Sequence, residues 1–202
     1  MNKIDKDRAI LPVSYFGPVN YFRIISKCVT ILERHENYQK RTIRNRARIL
    51  SANGPLSLSV PLTKGKTNLS ITEVGIAYNQ AWIEPQLRSI RSAYGSAPYF
   101  EHYFDDIAGI LRTRYELLYE LNLATISYIC GVFSLNEPNK TDSYTKISST
   151  YTHDARNGNI DWHKPINAYD QVFDNRFPFV SGLSILDLLF NLGPEAIYIM
   201  NA

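Results

Sequence analysis

The sequence predicts an α/β or α+β fold, with a mixed sheet opened by a βαβ unit and covered by a hairpin and a helical middle segment. Three observations carry this expectation. Two short apolar runs, ILPVSYF at 10–16 and VTILE at 29–33, flank a stretch whose apolar residues Tyr21, Phe22, Ile24 and Ile25 have helical spacing. An Asn53-Gly54 step separates two β-rich runs, which is a hairpin signal because both residues tolerate positive φ. From residue 82 to about 133 the apolar period becomes that of helices.

Taken in order, residues 10–16 read as a short buried strand interrupted by Pro12, and Gly17-Pro18 opens a helix over 19–27. Residues 29–33 form the next strand, parallel to the first, although the crossover is close to the minimum of about a dozen residues. Runs 46–50 and 56–62 make the hairpin; LSLSVPL alternates apolar with small polar residues, so one face is expected to be buried. A basic loop, 64–68, precedes an expected strand at 71–78. Its Gly65-Lys66-Thr67 triplet is not a P-loop, because Pro61 replaces the upstream glycine and no helix follows. Residues 82–94 are helical up to the Gly95-Ser96-Ala97-Pro98 break. Residues 100–132 continue as one helix, kinked at Gly109 and ending near Gly131. Residues 136–142 read as a polar linker, 147–151 as a short strand and 153–167 as a long irregular loop. A last helix over 184–191 is capped by Ser184 and Asp187 and stopped by Gly193-Pro194. The chain, 1–202, is expected to be one domain with a helical subregion at about 82–133.

Composition narrows the function classes. With 45% hydrophobic and 20% charged residues, the chain can bury a substantial core. Residues 1–10 lack the apolar region of a signal peptide, and no stretch nears the roughly 18 apolar residues of a membrane helix. A cytoplasmic protein without an integral membrane segment is expected. Cys28 and Cys130 each stand alone in apolar surroundings, which reads as buried, reduced thiols. A net charge of +3 is too small for a nucleic-acid-binding face. His153-Asp154 and Asp161-Trp162-His163 offer metal-ligand types without metal-ligand spacing, and no metal or other cofactor is assigned.

The positive charge is concentrated. Residues 34–48 (RHENYQKRTIRNRAR) hold six of the 22 Lys and Arg and one of the 19 acids, which gives this segment +5 and leaves the rest of the chain at −2. It follows the carboxyl end of the second strand, where open α/β sheets bind ligands. An extended Lys40–Arg48 segment would align Lys40, Thr42, Arg44, Arg46 and Arg48 on one face, whereas a helix or turn at its start would align Lys40 with Arg44 at i, i+4. Cations so aligned need acceptors, either a bound anion or acids such as Glu33 and Glu36. His35 and Glu36 are a candidate proton-transfer pair, although adjacent strand residues face opposite sides.

The segment Glu33-Arg34-His35-Glu36-Asn37-Tyr38-Gln39-Lys40, followed by Arg44-Asn45-Arg46, resembles the WbqC-like family of bacterial proteins. So do LPVSYFGPVNYF, VPLTKGK, Trp82 with Tyr94, APYFEHY, YDQVF and LSILDLLFNLGPEAI, which together span nearly the whole chain. The Tyr38-x-Lys40 spacing, the Asn45-Arg46 pair and an Asp154-Ala155-Arg156 element match the family pattern, and Leu192 departs from it where an acid is usual. The resemblance implies a transferase of O-antigen or other surface-polysaccharide biosynthesis, with glycyl or related acyl transfer to an amino sugar. In that setting His35 or Glu36 would act as base, Lys40, Arg44 and Arg46 would hold phosphate, and Asn45 would orient substrate or oxyanion. Tyr38 would stack on a sugar or base, and Asp154 and Arg156 would complete the binding set. The implied partner is a phosphorylated or nucleotide-linked sugar. Two alternatives stay open: a nucleotidyltransferase-like enzyme, which would lack its His-x-x-His signature here, and a non-catalytic nucleotide-sugar- or glycan-binding protein.

Overall fold

The computed structural model describes residues 7–63, 68–146, 153–156 and 160–202. Strand β1 (Arg8–Leu11) starts earlier than expected and stops before Pro12, whose missing N–H cannot continue a ladder. Helix α1 (Val19–Lys27) follows Pro18 and buries Val19, Tyr21, Phe22 and Ile25. Strand β2 (Val29–Leu32) returns parallel to β1, with Arg8 opposite Val29 and Leu11 opposite Leu32, which completes the βαβ unit.

Two very short strands widen this sheet, and neither carries an apolar period. Strand β5 (Asn139–Lys140) pairs with β2 inside the segment read as a linker, and β6 (His153–Asp154) pairs with β1 inside the segment read as a loop. The sheet order is β5-β2-β1-β6, and every pairing is parallel. Ala9, Ile10 and Leu11 are at most 1% exposed, as a central parallel strand covered on both faces requires. The antiparallel pairing lies in a separate hairpin, β3 (Arg46–Ser51) with β4 (Gly54–Ser59). Its turn places the positive φ, 97°, on Gly54. Leu58 and Val60 are buried on the expected face, while Leu56 stays 40% exposed.

The helical segment comprises α2 (Ile83–Tyr94), α3 (Phe100–Arg112) and α4 (Leu118–Val132). The expected single helix over 100–132 is thus interrupted after Arg112, and not at Gly109. Arg114 takes φ 56°, and the following residues pair with 74–76: Ile76 N–H donates to Glu116 O at 2.9 Å and Leu118 N–H to Val74 O at 2.8 Å. The expected strand at 71–78 is replaced by a 3-10 turn, Ile71–Glu73, followed by this bridging. The basic residues 64–67 and the expected strand 147–151 lie outside the described residues.

Helix α5 (Ile185–Leu192) is capped by Ser184, whose Oγ accepts from Leu186 N–H. The capping box is only half formed, because Ser184 N–H donates to Arg48 O and the Asp187 carboxylate accepts from Tyr169 and Gln171 instead. Gly193-Pro194 ends α5, yet after one 3-10 turn a further helix, α6 (Ala196–Asn201), packs on α1. Cys130 is buried, its thiol pushed up to about 12 by desolvation, then by the Glu137 charge; Cys28 is half-buried. Among the described residues no helix is long and apolar enough to cross a membrane.

Candidate functional site

The parallel sheet delivers the residues after β1, β2, β5 and β6 to one edge. Glu33, directly after β2, is fully buried and accepts four hydrogen bonds: from His35 N–H (2.8 Å), Thr141 Oγ1 (2.9 Å), Thr145 N–H (2.9 Å) and Arg156 Nη1 (3.0 Å). Arg156, two residues past β6, also forks onto Asp154, with Nε 2.9 Å from Oδ1 and Nη2 2.7 Å from Oδ2. Desolvation works to raise the Asp154 carboxyl, but the hydrogen bonds and charge of Arg156 prevail and hold it below its ordinary range. The Asp154-Ala155-Arg156 element is therefore a clamp tying β6 to the end of β2.

A second buried pair lies beside the first. Arg44 and Glu36 are 2% and 5% exposed and paired bidentately, through Nε to Oε1 at 2.8 Å and Nη2 to Oε2. Burial pushes the Glu36 carboxyl up, and the hydrogen bonds and charge of Arg44 pull against that. Removing either partner of such a pair leaves an uncompensated buried charge, at a cost of about 3–5 kcal/mol. The two pairs are joined by the Arg156 carbonyl, which accepts from Arg44 Nη2 at 3.0 Å and Gln39 Nε2 at 3.2 Å. Residues 40–45 are a chain of turns with Arg41 at φ 59°, so of the two readings of this segment the extended one, with its alternation of Lys40, Thr42 and Arg44, does not occur. Short-range bonds hold the turns: Thr42 Oγ1 donates to Gln39 O and Asn45 N–H to Thr42 O.

Over this network lies a cavity of about 300 Å³, bounded by the residues after β1 (Pro12) and β6 (Ala155, Arg156), the 39–44 turns, strand β3 and the Trp162-His163 and Gly182–Ser184 segments. Among the described residues its wall carries Arg41, Arg44, Arg46, Arg48 and Arg156 and no acidic side chain. Arg46 and Arg48, two apart on β3, project from one face while Ala47 and Ile49 bury the other. Arg44 and Arg156 are neutralised from behind by Glu36, Glu33 and Asp154. Among the described residues no acid pairs with Arg41, Arg46 or Arg48. The arrangement can therefore receive negative charge.

The expected site residues divide accordingly. Arg44, Arg46 and Arg156 line the cavity, and Glu36 and Asp154 stand behind it as carboxylate partners. His35 and Lys40 are exposed and are not part of the wall. Tyr38 is half-buried outside it, its N–H donating to Leu69 O, with burial raising its phenol. Asn45 donates Nδ2 to Val60 O at 3.3 Å and lies off the wall. The expectation omitted Gln39, Arg41, Arg48, Trp162 and His163. Arg41 and Arg48 stood within the same basic run, whereas the position of Trp162 and His163 depends on Asn20 of α1, whose Nδ2 donates to the carbonyls of Trp162 and Lys164 at 3.2 and 2.9 Å. Among the described residues no three His, Cys, Asp or Glu side chains gather as a metal site.

No curated protein and no solved structure matches the chain. A family match does cover it, over residues 13–160 and 148–199, and so begins just after β1 and takes in both buried ion-pair clusters and every cavity segment after Pro12; the chain belongs to the WbqC-like protein family.

Proposed function

We propose that this protein is a transferase of O-antigen or other surface-polysaccharide biosynthesis, passing a glycyl or related acyl group to an amino sugar carried on a phosphorylated or nucleotide-linked ligand held in the arginine-lined cavity. The observation that carries the binding half of this reading is that, among the described residues, the wall bears no acid and Arg41, Arg46 and Arg48 have no ion-pair partner. The reaction half comes from family kinship, with His35 or Glu36 as the base. Calorimetric titration with a panel of nucleotide-sugars tests the binding. Arg46→Ala should weaken the best ligand about 10- to 100-fold, the range for one charge-assisted hydrogen bond, with unchanged thermal stability because Arg46 is exposed. Undiminished affinity in both Arg46→Ala and Arg41→Ala would dispose of the reading.

A non-catalytic nucleotide-sugar- or glycan-binding role is the second reading, and one observation favours it. Both Glu36 oxygens are occupied by Arg44, and His35 stands outside the cavity wall, so neither group is free beside the ligand space. Ligand binding by the purified protein that is unchanged in His35→Ala, with no turnover in either the wild type or the variant, would favour this reading, and turnover in the wild type would overturn it.

A further inference from the structure

The Trp162-His163 turn is held to the cavity rim by four separate contacts. Asn20 Nδ2 grips the carbonyls on either side of His163, at Trp162 and Lys164, and Asp161 Oδ1 accepts from His163 N–H at 2.9 Å. Ser181 Oγ donates to His163 O at 3.1 Å. Gly182, at φ 70°, lets the backbone pass so close that a Cβ there would stand 2.3 Å from His163 Nδ1. The ring is thus fixed with its Nδ1 edge toward Gly182 and Arg48, although the residue itself is exposed.

Arg48 Nη1 lies 3.2 Å from His163 Nδ1. A guanidinium has only donors, so Nδ1 accepts, and a neutral imidazole that accepts at Nδ1 carries its proton on Nε2. Nε2 has no hydrogen-bond partner among the described residues. We infer that His163 is a ligand-contacting residue of the basic cavity, which donates its Nε2–H to the bound anion while Arg48 fixes the tautomer. This rests on reading the cavity as an anion site, and it adds a neutral, directional donor to a wall of charged ones. A phosphate oxygen placed there is selected by position as well as by charge, because the rigid ring cannot follow a misplaced acceptor as an arginine can.

Long-range nitrogen–proton NMR spectra of the full-length protein read the tautomer directly. At about pH 7.5 His163 should appear as the Nε2–H form, and Arg48→Met should release it to a mixture of both forms. Titration with inorganic pyrophosphate should shift the His163 Nε2 signal. His163→Ala should lose about tenfold in pyrophosphate affinity, and His163→Gln, whose amide N–H can take the place of Nε2–H, should recover most of it. An Nδ1–H or doubly protonated ring in the wild type overturns the inference, as does full affinity in His163→Ala where Arg46→Ala has lost it. Pyrophosphate that perturbs neither His163 nor the wall arginines overturns the anion reading itself, and this inference with it.

Discussion

Asp154 and Asp187 sit under opposite electrostatics. Asp154 faces a guanidinium, and its net shift is downward although desolvation works the other way. Asp187 is fully buried, and desolvation lifts its carboxyl against the hydrogen bonds of Tyr169, Gln171 and Tyr94, none of which carries charge. A carboxyl depressed by folding contributes stability above its unfolded value, about the ordinary aspartate figure of 3.8, and that contribution is lost as pH falls through the folded value. A raised one contributes below its unfolded value and loses that contribution as pH rises through the folded value. Urea unfolding of the wild type and of each Asn variant, from about pH 7 to about pH 3, checks both signs. The stability advantage of wild type over Asp154→Asn should shrink toward acid. That over Asp187→Asn should grow toward acid, and two differences moving in parallel would contradict the assignment. The sequence identifies both residues as acids; which one faces an arginine depends on the fold, since Asp154 is two residues from Arg156 in sequence but Asp187 meets Tyr169 and Gln171 across a loop.

At the scale of elements, local rules hold where an element is long enough to bury its own face. Helix α1 keeps its expected bounds because its apolar spacing and the preceding Pro18 agree. Strands β5 and β6 have two residues each and exist because β2 and β1 offer free edges, a property of the neighbours and not of Asn-Lys or His-Asp. The α3–α4 interruption arises in the same way, since Thr113-Arg114-Tyr115-Glu116 suits a helix until pairing with 74–76 outweighs propensity. Pro194 misleads for another reason: proline is compatible with the first turn of a helix, so it precedes α6 while Gly193 ends α5. Two glycines test this account with opposite signs. Gly193 has φ 52°, and a Cβ there would come within 2.4 Å of the Tyr99 ring, so Gly193→Ala should cost about 1–3 kcal/mol. Gly109 lies within α3 with nothing within 4 Å of a Cβ, so Gly109→Ala should add about 0.5–1 kcal/mol. Denaturant midpoints of the two variants, falling for the first and rising for the second, are the check.

For the whole molecule, the cavity is assembled from segments that no local pattern joins. Pro12, the 39–44 turns, β3, Arg156, Trp162-His163 and Ser184 meet because the four parallel strands end on one edge and the hairpin folds back over it. The basic run marked one side of this space in the sequence, but not which of its cations would be neutralised, since the partners of Arg156 lie at Glu33 and Asp154 and that of Arg44 at Glu36. The division of charge between buried pairs and open wall has a consequence for salt dependence. Arg44 and Arg156 are 2% exposed and little reached by mobile ions, whereas Arg41 and Arg46 are exposed and fully screened at high salt. The Debye length falls from about 10 Å at 0.1 M to about 3 Å at 1 M, shorter than the span of the cavity wall. Raising salt over that range should therefore weaken pyrophosphate binding at least about tenfold while the urea midpoint of the free protein stays nearly constant. The Arg41→Gln/Arg46→Gln double variant should bind weakly at low salt and show a flatter salt slope, because the charges being screened are gone. Equal salt slopes in wild type and double variant, measured by calorimetry at matched pH, would mean that the attraction for anions arises elsewhere on the surface.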